Sequence, residues 1–174
     1  MKSIQEHLNE SFTKNTYPYA DDVYDDYIDE YVKQEIVKGR MSFVQPVFMT
    51  NVSRKEYAGW KYTITGDTVD DALYLYDNLG KYLKRINQPF KMGTKKLIES
   101  SNKEQAHKLM TIYIMNNTNV DYLLDDIKKF LKNYKCTYRL KYSEHVEGPI
   151  WKRVDTDEYG DYIPADPNKR KIYR

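Results

Sequence analysis

Residues 59–67 read GWKYTITGD. Trp60, Tyr62 and Ile64 alternate with Lys61, Thr63 and Thr65. A period of two predicts a half-buried strand, with Lys61 on the face that the apolar residues leave free. Thr68 and Asp71 follow at nearly the spacing of a capping box, in which each side chain accepts from the other's backbone. Val69, Ala72, Leu73, Tyr76, Leu79, Leu83 and Ile86 then recur at helical spacing, with Gly80 as an internal weak point.

Working outward, QPFKM (88–92) predicts a short strand after Pro89, and residues 93–107 read as a basic, loop-like stretch. KLMTIYIM (108–115) predicts a strand, and NNTNV (116–120) a turn and helix cap. Val120, Leu123, Leu124, Ile127 and Leu131 mark the core face of a second helix, and TYRLKY (137–142) reads as the last strand. Upstream, SFVQPVFMT (42–50) reads as an edge strand, because Pro46 has no N–H to donate to a ladder. This order predicts an α+β fold: an antiparallel or mixed sheet of about five strands with two core helices on one face, as in a split βαβ arrangement. The expected organisation is N-terminal amphipathic helices over 1–40, an α+β core over 41–147, and a polar tail over 148–174 pinned by Trp151.

At 174 residues, with 40% hydrophobic and 31% charged side chains, the chain has the composition of an ordinary globular domain. No apolar run approaches the roughly 18–20 residues needed to cross a bilayer, so no membrane partner is expected. The first residues carry no secretory pattern, and the single cysteine, Cys136, excludes an intrachain disulfide. A cytoplasmic protein is the expectation. Cys136 is placed at a strand start and read as a passive buried thiol.

The net charge of +2 hides an asymmetry. Residues 1–40 hold nine acids against five bases, and residues 81–110 hold eight bases against two acids. Such a split marks either an anion site in the basic half or two parts that pack on each other. Ile4, Leu8 and Phe12 trace one stripe of a short helix. Val23, Tyr24, Tyr27, Ile28, Tyr31, Val32 and Ile36 trace a second, whose other face holds Asp21, Asp22, Asp25, Asp26 and Asp29. Tyr24, Asp25, Tyr27, Asp29 and Tyr31 are candidate partner-binding residues, because tyrosine gives large contact area at low entropic cost. A solvated helix face is the plainer reading. The leader MKSIQEHLNES is similar to short leaders found on many unrelated bacteriophage proteins, which suggests a phage source and, in that case, action in the host cytoplasm.

Motifs for phosphate-binding glycine loops, Cys/His clusters and serine elbows are absent. DTDEYGDY (155–162) has part of a calcium loop's spacing, but Tyr159 stands where an oxygen ligand belongs. No metal or cofactor is expected.

One constellation carries chemistry: Gly59, Trp60 and Lys61, then Pro89, Phe90 and Lys91, then Lys95, Lys96 and Leu97. This pattern resembles the lyase-type N-terminal region of class III and IV lanthipeptide synthetases, which is related to bacterial phosphothreonine lyases. The resemblance covers about residues 58–115, with a fainter echo in EGPIWKR (147–153). It implies elimination of phosphate from phosphoserine or phosphothreonine. Lys61 would be the base, and Lys91, Lys95 and Lys96 would contact the phosphate. The family pattern has histidine two residues after the lysine, on the same strand face, as the acid; here that position holds Thr63. A threonine hydroxyl has no useful acidity near neutral pH. His107 is the nearest substitute in the basic half.

The reading favoured is therefore a catalytically degenerate phosphothreonine-lyase-like protein that binds a phosphorylated or anionic segment of a protein partner, in the manner of a host-interaction factor. Nucleic acid is not the favoured partner. One alternative is an inhibitor whose acidic, tyrosine-rich helix occludes a host defence nuclease. The other is an active phosphoserine/phosphothreonine lyase with a substituted acid.

Overall fold

A computed structural model describes residues 43–44, 54–93, 95–99 and 103–170. The N-terminal helices expected over 1–40 lie outside the described residues, as does most of the strand expected over 42–50.

The architecture is α+β. Six strands form one sheet in the order β1-β3-β4-β2-β6-β5. They are β1 (Phe43–Val44), β2 (Tyr57–Thr65), β3 (Phe90–Gly93), β4 (Lys108–Met115), β5 (Glu144–Glu147) and β6 (Ile150–Val154). Every pairing among the described residues is antiparallel, with Phe43–Val44 of β1 paired to β3. The long central strands β2 and β4 pair through Lys61↔Tyr113, Tyr62↔Ile112 and Thr63↔Thr111.

Helical segments α1 (Val69–Leu75), a π turn (Tyr76–Gly80) and α2 (Lys81–Arg85) run on without a break. The Thr68–Asp71 capping box closes the start: Asp71 N donates to Thr68 Oγ1 at 3.1 Å, and Thr68 N donates to Asp71 Oδ2 at 3.2 Å. Gly80 stands where the run meets the sheet. A Cβ there would lie 3.4 Å from Phe90 and 3.0 Å from Tyr76, so the glycine permits close approach as well as the local π turn. The added π residue advances the helix face, and Ile86, expected in the core, is exposed. Helix α5 (Val120–Phe130) starts at Asn119, whose side chain accepts from Tyr122 N. Leu73, Leu79, Leu83, Leu123 and Ile127 pack on Tyr62, Ile64, Phe90, Met110 and Ile112 as one core on one sheet face.

Three expectations are corrected. Residues 137–142 form no strand. Cys136 and Leu140 are buried and Tyr138 half-buried between exposed neighbours, so the alternation is real, but the place beside β2 belongs to β6. Cys136 is buried at 8% exposure in that irregular stretch, where burial raises its thiol pKa and keeps it inert. Second, β6 lies within the segment read as a polar tail; β5 and β6 form a hairpin whose turn uses Gly148 at φ +51°. Third, the stretch read as loop-like contains α3 (Lys95–Ile98) and α4 (Lys103–His107), which bury Leu97, Ile98 and Ala106.

Leu79 is fully buried where the π turn docks on the sheet. Leu79→Ala is expected to lower unfolding free energy by about 2–5 kcal/mol, read from urea denaturation midpoints.

Candidate functional site

The second face of the sheet is also covered, which the alternation in GWKYTITGD did not indicate. Thr63 and Thr65 are buried, and Lys61 keeps only 15% of its side chain exposed. Paired residues in neighbouring antiparallel strands share a face. Tyr113 and Arg153 therefore flank Lys61, while Thr111 and Trp151 flank Thr63, and Lys91 lies opposite Thr111.

An open cavity of about 370 Å³ sits on this face. Its floor holds Lys61, Lys91, Lys108 and Arg153 around Thr63 and Thr111. Its walls come from Glu104 and Gln105 of α4, Tyr142 and Ser143, and the segment from Tyr162 to Lys169. Among the described residues, five cationic side chains line it against two carboxylates, those of Glu104 and Asp166.

Asp155 balances part of this charge from beneath. Its Oδ2 lies 3.0 Å from Lys61 Nζ, and its Oδ1 accepts from Tyr57 Oη at 2.6 Å. Burial and that hydrogen bond to the carboxylate raise the Tyr57 pKa, so the phenol stays a donor. The backbone fixes Asp155 as well: its N–H donates to Gly59 O at 3.0 Å, and its carbonyl accepts from Ile163 N at 2.7 Å. Gly59 has φ +90°, and a Cβ there would lie 2.1 Å from Thr156 Oγ1. Glycine thus lets the chain after β6 run on beside β2 closely enough for Asp155 to reach Lys61.

The remaining cations are crowded. Lys91 Nζ lies 5.6 Å and Lys61 Nζ 5.9 Å from the centroid of the Tyr113 ring. Burial first, then the charges of Lys61 and Lys108, pull the Lys91 pKa down to about 8, against a smaller opposing effect of Asp155. Burial also lowers the Lys108 pKa, opposed by Glu104 4.0 Å away and helped by Lys61 and Arg153. The Arg153 guanidinium donates to the Ile163 carbonyl and lies 5.5 Å from the Tyr162 ring centroid.

The structure thus brings together Lys61, Thr63 and Lys91 of the residues singled out in the sequence. Lys95 does not line the cavity, and the Lys96 side chain lies outside the described residues. His107 is not at the cavity either. Its Nδ1 lies 2.8 Å from Gly66 O and 3.0 Å from Asp67 Oδ1, and its ring stacks on Tyr138. No histidine among the described residues lines the cavity. Tyr24, Asp25, Tyr27, Asp29 and Tyr31 lie outside the described residues. Sequence reasoning missed Lys108, Arg153, Asp155 and Tyr113. Parity within KLMTIYIM places Tyr113 with Thr111, and Arg153 lies in EGPIWKR, the faint echo of the family pattern. Asp155 stands two residues after Arg153, so strand parity puts the two on one face, but its pairing with Lys61 follows only from sheet register.

What such an arrangement can do is bind an anion with more than one negative charge and hold an amine that changes charge near neutral pH. No protein-family profile matches the chain, and no curated protein matches it. No helix among the described residues is long and apolar enough to cross a membrane.

The depressed Lys91 pKa has a stability consequence. Between about pH 8 and pH 10.5 the unfolded chain binds the Lys91 proton more fully than the folded chain, so this residue makes stability rise with pH across that window. Below pH 8 the buried ammonium is a standing cost. Lys91→Met is therefore expected to stabilise the protein at pH 7 by about 1–3 kcal/mol, the advantage shrinking toward pH 10.5. Urea melts of both proteins at several pH values check this; coincident curves throughout would contradict it.

Proposed function

We propose that the chain is a lyase-like protein without the elimination reaction, and that it binds a phosphorylated or anionic segment of a protein partner in the cationic cavity. The observation that carries this reading is the convergence of Lys61, Lys91, Lys108 and Arg153 on one sheet face. Four cations at close quarters repel one another, and a phosphomonoester with nearly two negative charges relieves that repulsion. Each charge-assisted hydrogen bond to the phosphate contributes about 1.5–3 kcal/mol. Thr63 fits binding better than catalysis. It is only 4% exposed between Thr111 and Trp151, and its hydroxyl is too weak an acid to protonate a leaving phosphate oxygen.

In this reading the partner is a protein met in the cytoplasm, the host's if the chain is phage-encoded. The protein would then work by occupying a phosphorylated segment rather than by consuming it.

Calorimetric titration with a phosphothreonine peptide and its unphosphorylated twin tests the reading. Binding is expected for the phosphopeptide alone, weakened roughly tenfold or more by Lys61→Ala or Lys91→Ala. It should be tightest between about pH 6, where the phosphate takes its second charge, and about pH 8, where Lys91 loses its own. Partner binding that ignores both variants but is abolished by charge reversal at Asp25, Asp26 and Asp29 would move the function to the acidic helix. Release of inorganic phosphate would make the protein an active lyase.

A further inference from the structure

We infer that Lys91 is a covalent capture site for phosphate-bearing aldehydes, which it takes up reversibly as an imine. This inference rests on the anion-binding reading of the cavity. It adds a distinct chemistry: carbonyl condensation instead of ionic recognition.

The geometry supplies both parts such a reaction needs. Lys91 lines the cavity from β3, half-buried, opposite Thr111. Around it stand Lys61 of β2, Lys108 and Tyr113 of β4, Arg153 of β6 and Asp155 beyond it. Lys61 is held in an ion pair with Asp155, and the Arg153 guanidinium donates to the Ile163 carbonyl. A phosphate drawn to Lys61, Lys108 and Arg153 would hold an attached carbonyl group beside the Lys91 amine, a gain in effective concentration that no surface lysine has. Burial and neighbouring cations give that amine a neutral fraction near pH 8 that an exposed lysine lacks.

The step balances without any further reactant. The Lys91 nitrogen lone pair forms a bond to the aldehyde carbon, and the carbonyl π electrons move to oxygen, which takes a proton from that nitrogen. The resulting hydroxyl leaves as water with a second proton, and a carbon–nitrogen double bond remains. Hydrolysis reverses each step. While the imine stands, the cavity is closed to a phosphorylated segment.

Pyridoxal 5′-phosphate, with pyridoxal as the control lacking phosphate, is a suitable probe for the intact chain. After borohydride reduction, peptide mapping is expected to place a single pyridoxyl group on Lys91. Labelling should be at least tenfold faster than with pyridoxal, slowed by inorganic phosphate and absent in Lys91→Arg. Label on Lys108, or spread over exposed lysines such as Lys129, Lys132 and Lys135, would overturn the inference, as would equal rates with the two aldehydes. Mapping of the wild-type chain decides this even if the variant misfolds. Phosphate binding measured by calorimetry without any Lys91 adduct would sink the capture site and leave the anion-binding reading standing. Absence of phosphate binding would remove both.

Discussion

The ion pair between Lys61 and Asp155 is the constraint on which the polar side of this fold depends. Where both faces of a sheet are largely covered, little solvent reaches a charge, and Lys61 keeps only 15% of its side chain exposed at the floor of the cavity. Lys61 sits at the centre of such a sheet, flanked by Tyr113 and Arg153. An isolated ammonium there would meet a desolvation cost of several kcal/mol. Asp155 offsets that cost at 3.0 Å, and Tyr57 in turn satisfies the second carboxylate oxygen. The pair needs the chain after β6 to stay close beside β2 at Gly59, where any side chain would collide with Thr156. Gly59 and Lys61, two residues apart, thus belong to one device.

Asp155 is engaged by Lys61 and Tyr57, and among the described residues the carboxylates lining the cavity are those of Glu104 and Asp166. Lys108 lies 4.0 Å from Glu104, and Arg153 donates to the Ile163 carbonyl. At Lys91, burial and like charge favour the neutral amine. Lys61 is tied to a carboxylate, whereas Lys91 is half-buried among like charges. That difference fits the anion-binding reading proposed above.

Most of the scaffold was legible because it rests on local periodicity. The alternation in 57–65 and 108–115, the Thr68–Asp71 box and the stripe at Val120, Leu123 and Ile127 each fall on the elements that form. The errors share one cause. Residues 136–140 alternate like a strand yet pair with none of the described strands, while 150–154 carry weak local pattern and pair anyway. Pairing is a tertiary decision, and in short strands it overrides pattern. The site was half legible for the same reason. Lys61 and Lys91 stand in recognisable surroundings, whereas Lys108, Arg153 and Asp155 join them only through sheet register. His107 is close to the site in sequence but is turned to Gly66 and Asp67 at the end of β2.

The central claim is that Lys91 lies in a shared cationic cavity that takes an anion. Its most direct measurement is the Lys91 side-chain titration itself, followed by NMR of the carbon next to the amine in isotopically labelled protein, with and without inorganic phosphate. The account predicts a midpoint near pH 8 in the free protein, moving upward when phosphate is added. A midpoint near the ordinary lysine value of about 10.4, unmoved by phosphate, would contradict it.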